Sequence, residues 1–178
     1  MKLPDFEQFI VALEFAARKH RDQRRKDREA SPYINHPIQL VWVLVHEGQI
    51  TDPDVLCAAL LHDTIEDTET TRDELVAAFG ASVASIVDEV TDDKSLEKHV
   101  RKQHQVDHAP HLTRQAKLVK LADKIANVRD VVISPPQGWP IERQQEYFDW
   151  AKRVVDGLRG TNAALEAAFD EAYSRRPQ

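Results

Sequence analysis

The sequence predicts an all-α fold of about eight to ten helices, and three observations carry this prediction. Apolar residues recur at three- and four-residue spacing along most of the chain, which is the period of an amphipathic helix. Only 5 of the 178 residues are glycine, and neither alternating β-branched runs nor Asn-Gly turns, the usual signals of hairpins, occur. No linker, repeat or low-complexity tract interrupts the pattern, so we expect a single domain over residues 1–178.

Helix-start and helix-stop signals divide the first half of the chain. An apolar stripe occupies residues 6–17, and His20 continues it. Helices are expected over residues 37–46 and 53–63, because each of these segments begins with proline, which is favoured at the first helical position. Residues 71–74 form a capping-box pattern that begins another helix, and Gly80 is expected to end it.

The second half of the chain is also helical in pattern. Residues 96–110 are charged and weakly patterned, and they predict either a solvated helix or a mobile cover. Residues 134–140 contain three prolines and one glycine, so they predict a loop. The remaining helices are expected over residues 83–90, 113–132, 141–158 and 161–173.

Composition and charge argue against two classes of partner. The formal net charge is −6, which argues against general binding to nucleic acid or to membrane surfaces. The longest apolar run, residues 55–61, is far shorter than the ~20 residues of a membrane-spanning helix. The single cysteine, Cys57, lies in this run and is expected in the core, which fits a reducing, cytoplasmic compartment. The sequence leaves the oligomeric state open.

Two adjacent polar residues, His62 and Asp63, follow this apolar run and predict a metal site. Two protein ligands are rarely enough, so further ligands are expected. His36, just before a helix, and Asp123, on a polar strip of the helix at 113–132, are the candidates. Nitrogen and oxygen donors together suit Mn²⁺, Fe²⁺, Zn²⁺ or Mg²⁺ without selecting sharply among them.

Each of these ligands has an ordinary structural alternative when taken alone. A single His36 at a helix start is more often a hydrogen-bonded structural residue than a ligand. Asp123 alone is more often half of a surface ion pair with Lys120 or Lys124. The metal interpretation therefore depends on whether the fold brings the residues together.

An acidic pair, Glu66 and Asp67, follows the adjacent ligands by four residues. If the helix continues for one turn, both carboxylates point towards the metal. There they could orient a water molecule and accept its proton. The alternative is a pair of helix-terminal charges that face solvent.

A basic segment, residues 18–28, contains seven cationic residues opposed only by Asp22 and Asp27. In an acidic protein this reversal of charge favours a phosphorylated substrate over a solvated loop, because the segment leads directly to residues 31–36 and the proposed metal. His20 is expected to be structural or to support the site. The other histidines are expected to face solvent: His46, His99, His104, His108 and His111.

Several motifs occur in a fixed order along nearly the whole chain, from about residue 6 to residue 169. They are His20-x-x-Gln23-Arg24-Arg25-Lys26-Asp27, Pro32-Tyr33-Ile34-Asn35-His36-Pro37, Leu60-Leu61-His62-Asp63-Thr64-Ile65-Glu66-Asp67, Glu89-Val90-Thr91-Asp92-Asp93-Lys94, Leu121-Ala122-Asp123-Lys124-x-x-Asn127 and Gly138-Trp139. In this order the chain resembles the HD-type hydrolase domain of the RelA/SpoT proteins. The resemblance is strongest to the stand-alone form, the metazoan SpoT homologue and the bacterial small alarmone hydrolases.

This resemblance implies an all-α HD-domain fold and a specific reaction. The reaction is removal of the 3′-pyrophosphate from guanosine tetra- or pentaphosphate, (p)ppGpp, which leaves GDP or GTP. The resemblance implies one Mn²⁺ ion, with Glu66 and Asp67 acting on the attacking water. The implied metal ligands are His36, His62, Asp63 and Asp123, and the implied substrate-binding residues are Arg25, Lys26, Tyr33, Asn127, Trp139 and Tyr147.

Two segments depart from the family pattern. Residues 28–31 replace the more usual glycine-containing turn before the Pro32-Tyr33 pair. Ile125 and Ala126 stand where relatives often carry bulkier polar or aromatic residues, and they are expected to alter the pocket wall.

Two other functions remain open. The first alternative function is a phosphatase acting on NADPH or other 2′- or 3′-phosphorylated nucleotides. The second is a non-catalytic alarmone sensor.

Overall fold

The computed structural model describes residues 3–178 of the chain; Met1 and Lys2 lie outside the described residues. Within this range the chain forms nine α-helices and no strand apart from an isolated bridge between Arg24 and Pro32. The all-α prediction is therefore confirmed. The helices are α1 (Leu3–Lys19), α2 (Asn35–Trp42), α3 (Pro53–Leu61), α4 (Thr64–Asp67), α5 (Arg72–Val90), α6 (Lys98–His108), α7 (Arg114–Ile133), α8 (Ile141–Asp156) and α9 (Ala163–Ser174).

Helix α3 lies at the centre of the molecule. Every residue from Val55 to Leu61 is buried, including Cys57, and the helix packs against α1, α2, α5 and α7. A helix that is apolar on all sides is stable in water only when other helices surround it. The next residue, His62, therefore follows directly on the buried part of this helix.

Two helix boundaries near this centre differ from the sequence prediction. Helix α2 begins at Asn35, two residues before the expected start, and it continues into a π-helical turn, Val43–Glu47. Helix α3 ends at Leu61 because Asp63 adopts φ −101° and ψ 1°, outside the helical region. The chain then forms the short helix α4, in which the Thr64 hydroxyl donates a hydrogen bond to the Leu61 carbonyl (2.6 Å). The direction of the chain therefore changes between His62 and Glu66.

Helix α5 contains the break that Gly80 predicts. The Thr71 hydroxyl accepts a hydrogen bond from the Glu74 amide (3.2 Å), so the predicted cap is present. Gly80 adopts φ 86° and ψ 166°, and the helix resumes on its far side. The side-chain amide of Gln8 on α1 donates to the carbonyl of Phe79 (3.1 Å), which secures α1 to the break.

Residues 96–110, for which the sequence left two alternatives, contain the solvated helix α6. None of its residues is buried, and it packs against α8. The indole N–H of Trp150 on α8 donates to the backbone carbonyl of Lys102 (2.9 Å), which fixes the helix at its middle. The five histidines expected at the surface are all exposed. Within residues 3–178, no helix has the length and apolar character needed to cross a membrane.

Candidate active site

Three helices bring two histidines and one carboxylate to a common point. His36 lies in the first turn of α2, His62 follows the last residue of α3, and Asp123 lies near the middle of α7. All three side chains are buried, and one potential ligand atom from each lies within 4.8 Å of the other two. The chain therefore contains a His/Asp cluster with the composition and spacing of a metal site.

The hydrogen bonding of His62 leaves one ring nitrogen available to a cation. Its Nδ1 donates to the Ala59 carbonyl (2.9 Å), which directs Nε2 inwards. Nε2 lies 2.9 Å from Asp63 Oδ2 but has no hydrogen bond of acceptable geometry. Burial by itself lowers the pKa of His62, but the adjacent Asp63 carboxylate raises it to about 9. A positive charge is therefore favoured between these groups, and a bound metal ion would supply it in place of a proton.

Asp123 is held by donors on both of its oxygens. Oδ1 lies 3.2 Å from His36 Nε2 and accepts from the Asn127 amide (2.5 Å). Oδ2 accepts from the ammonium group of Lys124 (3.0 Å). Burial opposes ionisation, but Lys124 and His36 hold the pKa of Asp123 well below its usual value. Asp123 is therefore a fixed, ionised carboxylate, not half of a surface ion pair.

Asp63 lies beside the three-residue cluster without belonging to it by the same distance criterion. Its Oδ2 contacts His62 Nε2 and accepts a hydrogen bond from the hydroxyl of Tyr33. Burial acts against its ionisation, whereas the charge of His62 lowers the pKa of Asp63 strongly. Its carboxylate is thus ionised and directed at the cluster.

The two carboxylates of the acidic pair have different surroundings. Glu66 Oε2 accepts a hydrogen bond from the Asp92 amide (3.2 Å). Burial, together with the charges of Asp63 and Asp92, raises the pKa of Glu66 to about 7. Asp67 instead accepts from Gln23 Nε2 (2.8 Å) and from the Lys94 ammonium group. Glu66 therefore has the environment of a group that exchanges protons near neutral pH.

Two cavities meet at these residues. The large cavity, of about 780 Å³, lies against the basic segment and is lined by His36. The small cavity, of about 240 Å³, lies under α6 and is lined by His62, Asp63 and Asp123. Glu66 lines both cavities. All six predicted substrate-binding residues line the large cavity: Arg25, Lys26, Tyr33, Asn127, Trp139 and Tyr147.

Only part of the basic segment reaches the large cavity. Arg24, Arg25 and Lys26 line it, and Arg25 donates to Asp130 (2.5 Å) and to Asn127 (3.3 Å). The preceding cations form ion pairs with other residues: Arg18 with Glu14, Lys19 with Glu74, and Arg21 with Asp22.

Both departures from the family pattern have a visible structural outcome. Ala30, in the turn that lacks glycine, adopts φ 49°, a conformation that glycine adopts at lower cost. The expectation for Ile125 and Ala126 is wrong. Both are fully buried in the core and line neither cavity, because they belong to the face of α7 that packs inwards.

Sequence reasoning missed the residues that support the acidic pair and cover the small cavity. Gln23 and Lys94 bind Asp67, and neither residue was assigned a role although both stand in the ordered motifs. Arg101 and Lys102 on α6 line the small cavity, although their segment had no helical pattern to reveal it. His20 has the supporting role expected: it is 2% exposed, and its Nδ1 lies 2.6 Å from the Gln23 side-chain oxygen.

Comparison with known families identifies this arrangement. A family model described as an HD domain matches residues 12–149, which contain the whole His/Asp cluster. The chain belongs to the HD-domain family. The resemblance drawn from the ordered motifs is therefore confirmed, and the all-helical HD-domain fold accounts for most of the chain.

Several relatives of this HD-domain protein match it over nearly their full length. It is 59% identical over 167 residues to guanosine-3′,5′-bis(diphosphate) 3′-pyrophosphohydrolase MESH1 of Danio rerio, covering 94% of this chain and 93% of the relative. The human MESH1 protein is 57% identical over 169 residues, with 95% and 94% covered. A solved structure of a metazoan SpoT orthologue, described as hydrolysing ppGpp, superposes with a TM-score of 0.92 at 51% identity over 95% of each chain. The prediction that this HD-domain protein is an enzyme of the hydrolase class is confirmed by these relatives.

Proposed function

We propose that the protein is a Mn²⁺-dependent hydrolase that removes the 3′-pyrophosphate from guanosine tetra- or pentaphosphate. The products are GDP or GTP and inorganic pyrophosphate. The proposal also assigns the substrate to a small nucleotide and the protein to the cytoplasm. Its main support is that a His/Asp cluster suited to a metal lies at the junction of two cavities, one of which is large enough for a nucleotide.

The metal ion in this proposal is held by His36, His62, Asp63 and Asp123. The available Nε2 of His62 and the ionised carboxylates of Asp63 and Asp123 fit a divalent cation. When bound, such an ion polarises a phosphoryl oxygen and lowers the pKa of a coordinated water. The Ala59 carbonyl and Lys124 orient the ligands His62 and Asp123 from behind.

In the proposed reaction, Glu66 orients the attacking water and takes one of its protons. The water oxygen forms a bond to the phosphorus atom that carries ribose O3′, the P–O3′ bond breaks, and O3′ receives a proton. A carboxylate with a pKa near 7 can both accept and return a proton at neutral pH. Asp67, fixed by Gln23 and Lys94, positions the water beside Glu66.

The residues of the large cavity bind the nucleotide in this proposal. Arg25 and Lys26 neutralise phosphate charge, and the ring of Tyr33 packs against the base or sugar. Asn127 and Tyr147 line both cavities and therefore contact the part of the substrate that lies at their junction. Trp139 closes the side of the large cavity formed by the loop after α7.

The test is incubation of the purified protein with guanosine tetraphosphate in Mn²⁺ or in EDTA, followed by separation of the products. We expect GDP and pyrophosphate in Mn²⁺ and no turnover in EDTA. Asp63→Ala and Asp123→Ala should abolish turnover through loss of the metal, whereas Glu66→Ala should keep the metal and lose most of the rate. Glu69→Ala, at an exposed acid outside both cavities, is the matched control.

Three outcomes would redirect the assignment. Wild-type activity in Asp63→Ala would overturn the proposed metal site. Release of orthophosphate from NADPH, with no turnover of guanosine tetraphosphate, would favour the phosphatase alternative. Tight binding of the nucleotide in Mn²⁺ without any turnover would favour the sensor.

A further inference from the structure

The small cavity is a second compartment, and it is smaller than the usual pocket for a small molecule. Its volume of about 240 Å³ is below the range of about 300–1,000 Å³ found for small-molecule pockets. It corresponds to about eight water molecules at roughly 30 Å³ each. A phosphate group fits this space.

The proposed reaction centre lies between the two compartments. His36 lines the large cavity, whereas His62 and Asp123 line the small one. A substrate whose nucleoside occupies the large cavity therefore presents its reacting phosphorus at the junction. Whatever is attached on the far side of that phosphorus must then extend into the small cavity.

Five cationic side chains line the small cavity, against four carboxylates. The cations are Lys98, Arg101, Lys102, Lys120 and Lys124. Some of them already have partners: Lys124 pairs with Asp123, and Lys120 donates to the Val90 carbonyl (2.8 Å). Arg101 lies 3.9 Å from Asp92, at the limit of an ion pair.

Within the described part of the chain, Lys98 and Lys102 are the two of these cations without an ion pair, and of the two it is Lys102 whose side chain is half-buried. Among residues 3–178, no carboxylate lies within ion-pair distance of its ammonium group. That group lies 4.8 Å from the centre of the Trp150 ring, and the Lys124 ammonium lies 4.4 Å from the same ring. Burial, and then the charge of Lys98, lowers the pKa of Lys102. Its backbone is fixed by the hydrogen bond from the Trp150 indole, so the ammonium group extends from a fixed position on α6.

We propose that the small cavity binds the distal phosphate of the substrate's 3′-diphosphate, and that Lys102 is the residue that makes the site prefer a 3′-diphosphate to a 3′-monophosphate. This inference rests on the proposed function and specifies its substrate selectivity. The distal phosphate would leave, joined to the attacked phosphate, as pyrophosphate. The distal phosphate would supply the negative partner that Lys102 lacks, in a charge-assisted contact with its ammonium group.

The test compares two nucleotides that differ only in the distal phosphate: guanosine 5′-diphosphate 3′-diphosphate and guanosine 5′-diphosphate 3′-monophosphate. We expect Lys102→Gln to lower kcat/KM in Mn²⁺ for the 3′-diphosphate by about tenfold or more. Hydrolysis of the 3′-monophosphate should change by less than about twofold. Lys102→Arg should restore most of the preference. Lys152→Gln, which removes a lysine charge from α8 outside both cavities, should change neither value.

A binding experiment separates failure of this inference from failure of the proposed function. In EDTA, where no hydrolysis is expected, calorimetry measures the Kd of both nucleotides for the wild-type protein and for Lys102→Gln. The wild type should bind the 3′-diphosphate more tightly, and this advantage should shrink in the variant, whether or not the protein is catalytic. Equal losses for both nucleotides, or no wild-type preference between them, would overturn the inference. Preference without turnover in Mn²⁺ would instead refute the proposed hydrolase and leave the distal-phosphate site standing.

Discussion

Glu66 and Asp67 are neighbours in the sequence with different electrostatic environments. Glu66 is partly buried and lies near the carboxylates of Asp63 and Asp92, so its neutral form is favoured. Asp67 accepts hydrogen bonds from Gln23 and Lys94, so its charge is balanced. The structure gives Glu66 the environment of a proton-exchanging group and fixes Asp67 through Gln23 and Lys94.

This environment predicts that stability depends on pH through Glu66 in metal-free protein. Between the ordinary carboxyl pKa of about 4.5 and the folded-state pKa of about 7, the folded state binds more protons than the unfolded state. The free energy of unfolding therefore falls as pH rises through this range. We expect Glu66→Gln, which cannot ionise, to gain stability relative to wild type as pH rises from 5 to 8. Melting temperatures in EDTA measure this difference, and a constant offset from pH 5 to pH 8 would contradict it.

Helix α5 contains a break whose backbone conformation depends on a single residue. Gly80 adopts φ 86° and ψ 166°, a region that is essentially restricted to glycine. No heavy atom lies within 4 Å of the position that a Cβ would occupy. The cost of any other residue here is therefore backbone strain and not steric overlap.

We expect Gly80→Ala and Gly80→Asn to lower the free energy of unfolding by about 1–3 kcal/mol each. Asparagine should give no relief, because its tolerance for positive φ is confined mainly to the left-handed helical region. Urea unfolding measures both variants. Ala81→Gly, one residue further at an exposed helical position, is a control for the ordinary helical cost of glycine, about 1 kcal/mol. Wild-type stability in Gly80→Ala would mean that the break is not required.

At the scale of the whole molecule, the His/Asp cluster links metal binding to folding. His36, His62 and Asp123 come from α2, the end of α3 and α7, and only the folded chain brings them together. A ligand that binds only the folded state stabilises it in proportion to the logarithm of its concentration. The metal should therefore act as a cross-link between three helices.

We expect Mn²⁺ at about one hundred times its Kd to raise the melting temperature by about 5–10 °C, which corresponds to about 2.7 kcal/mol in a domain of this size. EDTA should reverse the shift. Asp123→Asn should abolish most of it, whereas Asp88→Asn, at an exposed position on α5, should keep it. The same shift in Asp123→Asn as in wild type would show that the ion binds elsewhere.

The sequence by itself determined the elements of this protein and the types of residue at its site. Periodicity, the Thr71 cap, Pro53 and Gly80 act over a few residues, so they predicted most helices to within two or three positions. The ordered motifs identified the family and its expected ligands. Local pattern failed at Asp63, whose non-helical backbone ends α3 early, and in α6, whose helix has no buried stripe.

Only the tertiary structure decided which of these residues meet. His36 and Asp123 are 87 positions apart in the chain, and no local preference fixes a distance of that kind. Packing around the buried helix α3 brings them to His62, turns Glu66 and Asp67 to different partners, and places α6 over the small cavity. The physical reason is that helix propensity and capping act between near neighbours, whereas the geometry of a site depends on side-chain packing between helices that are remote in sequence.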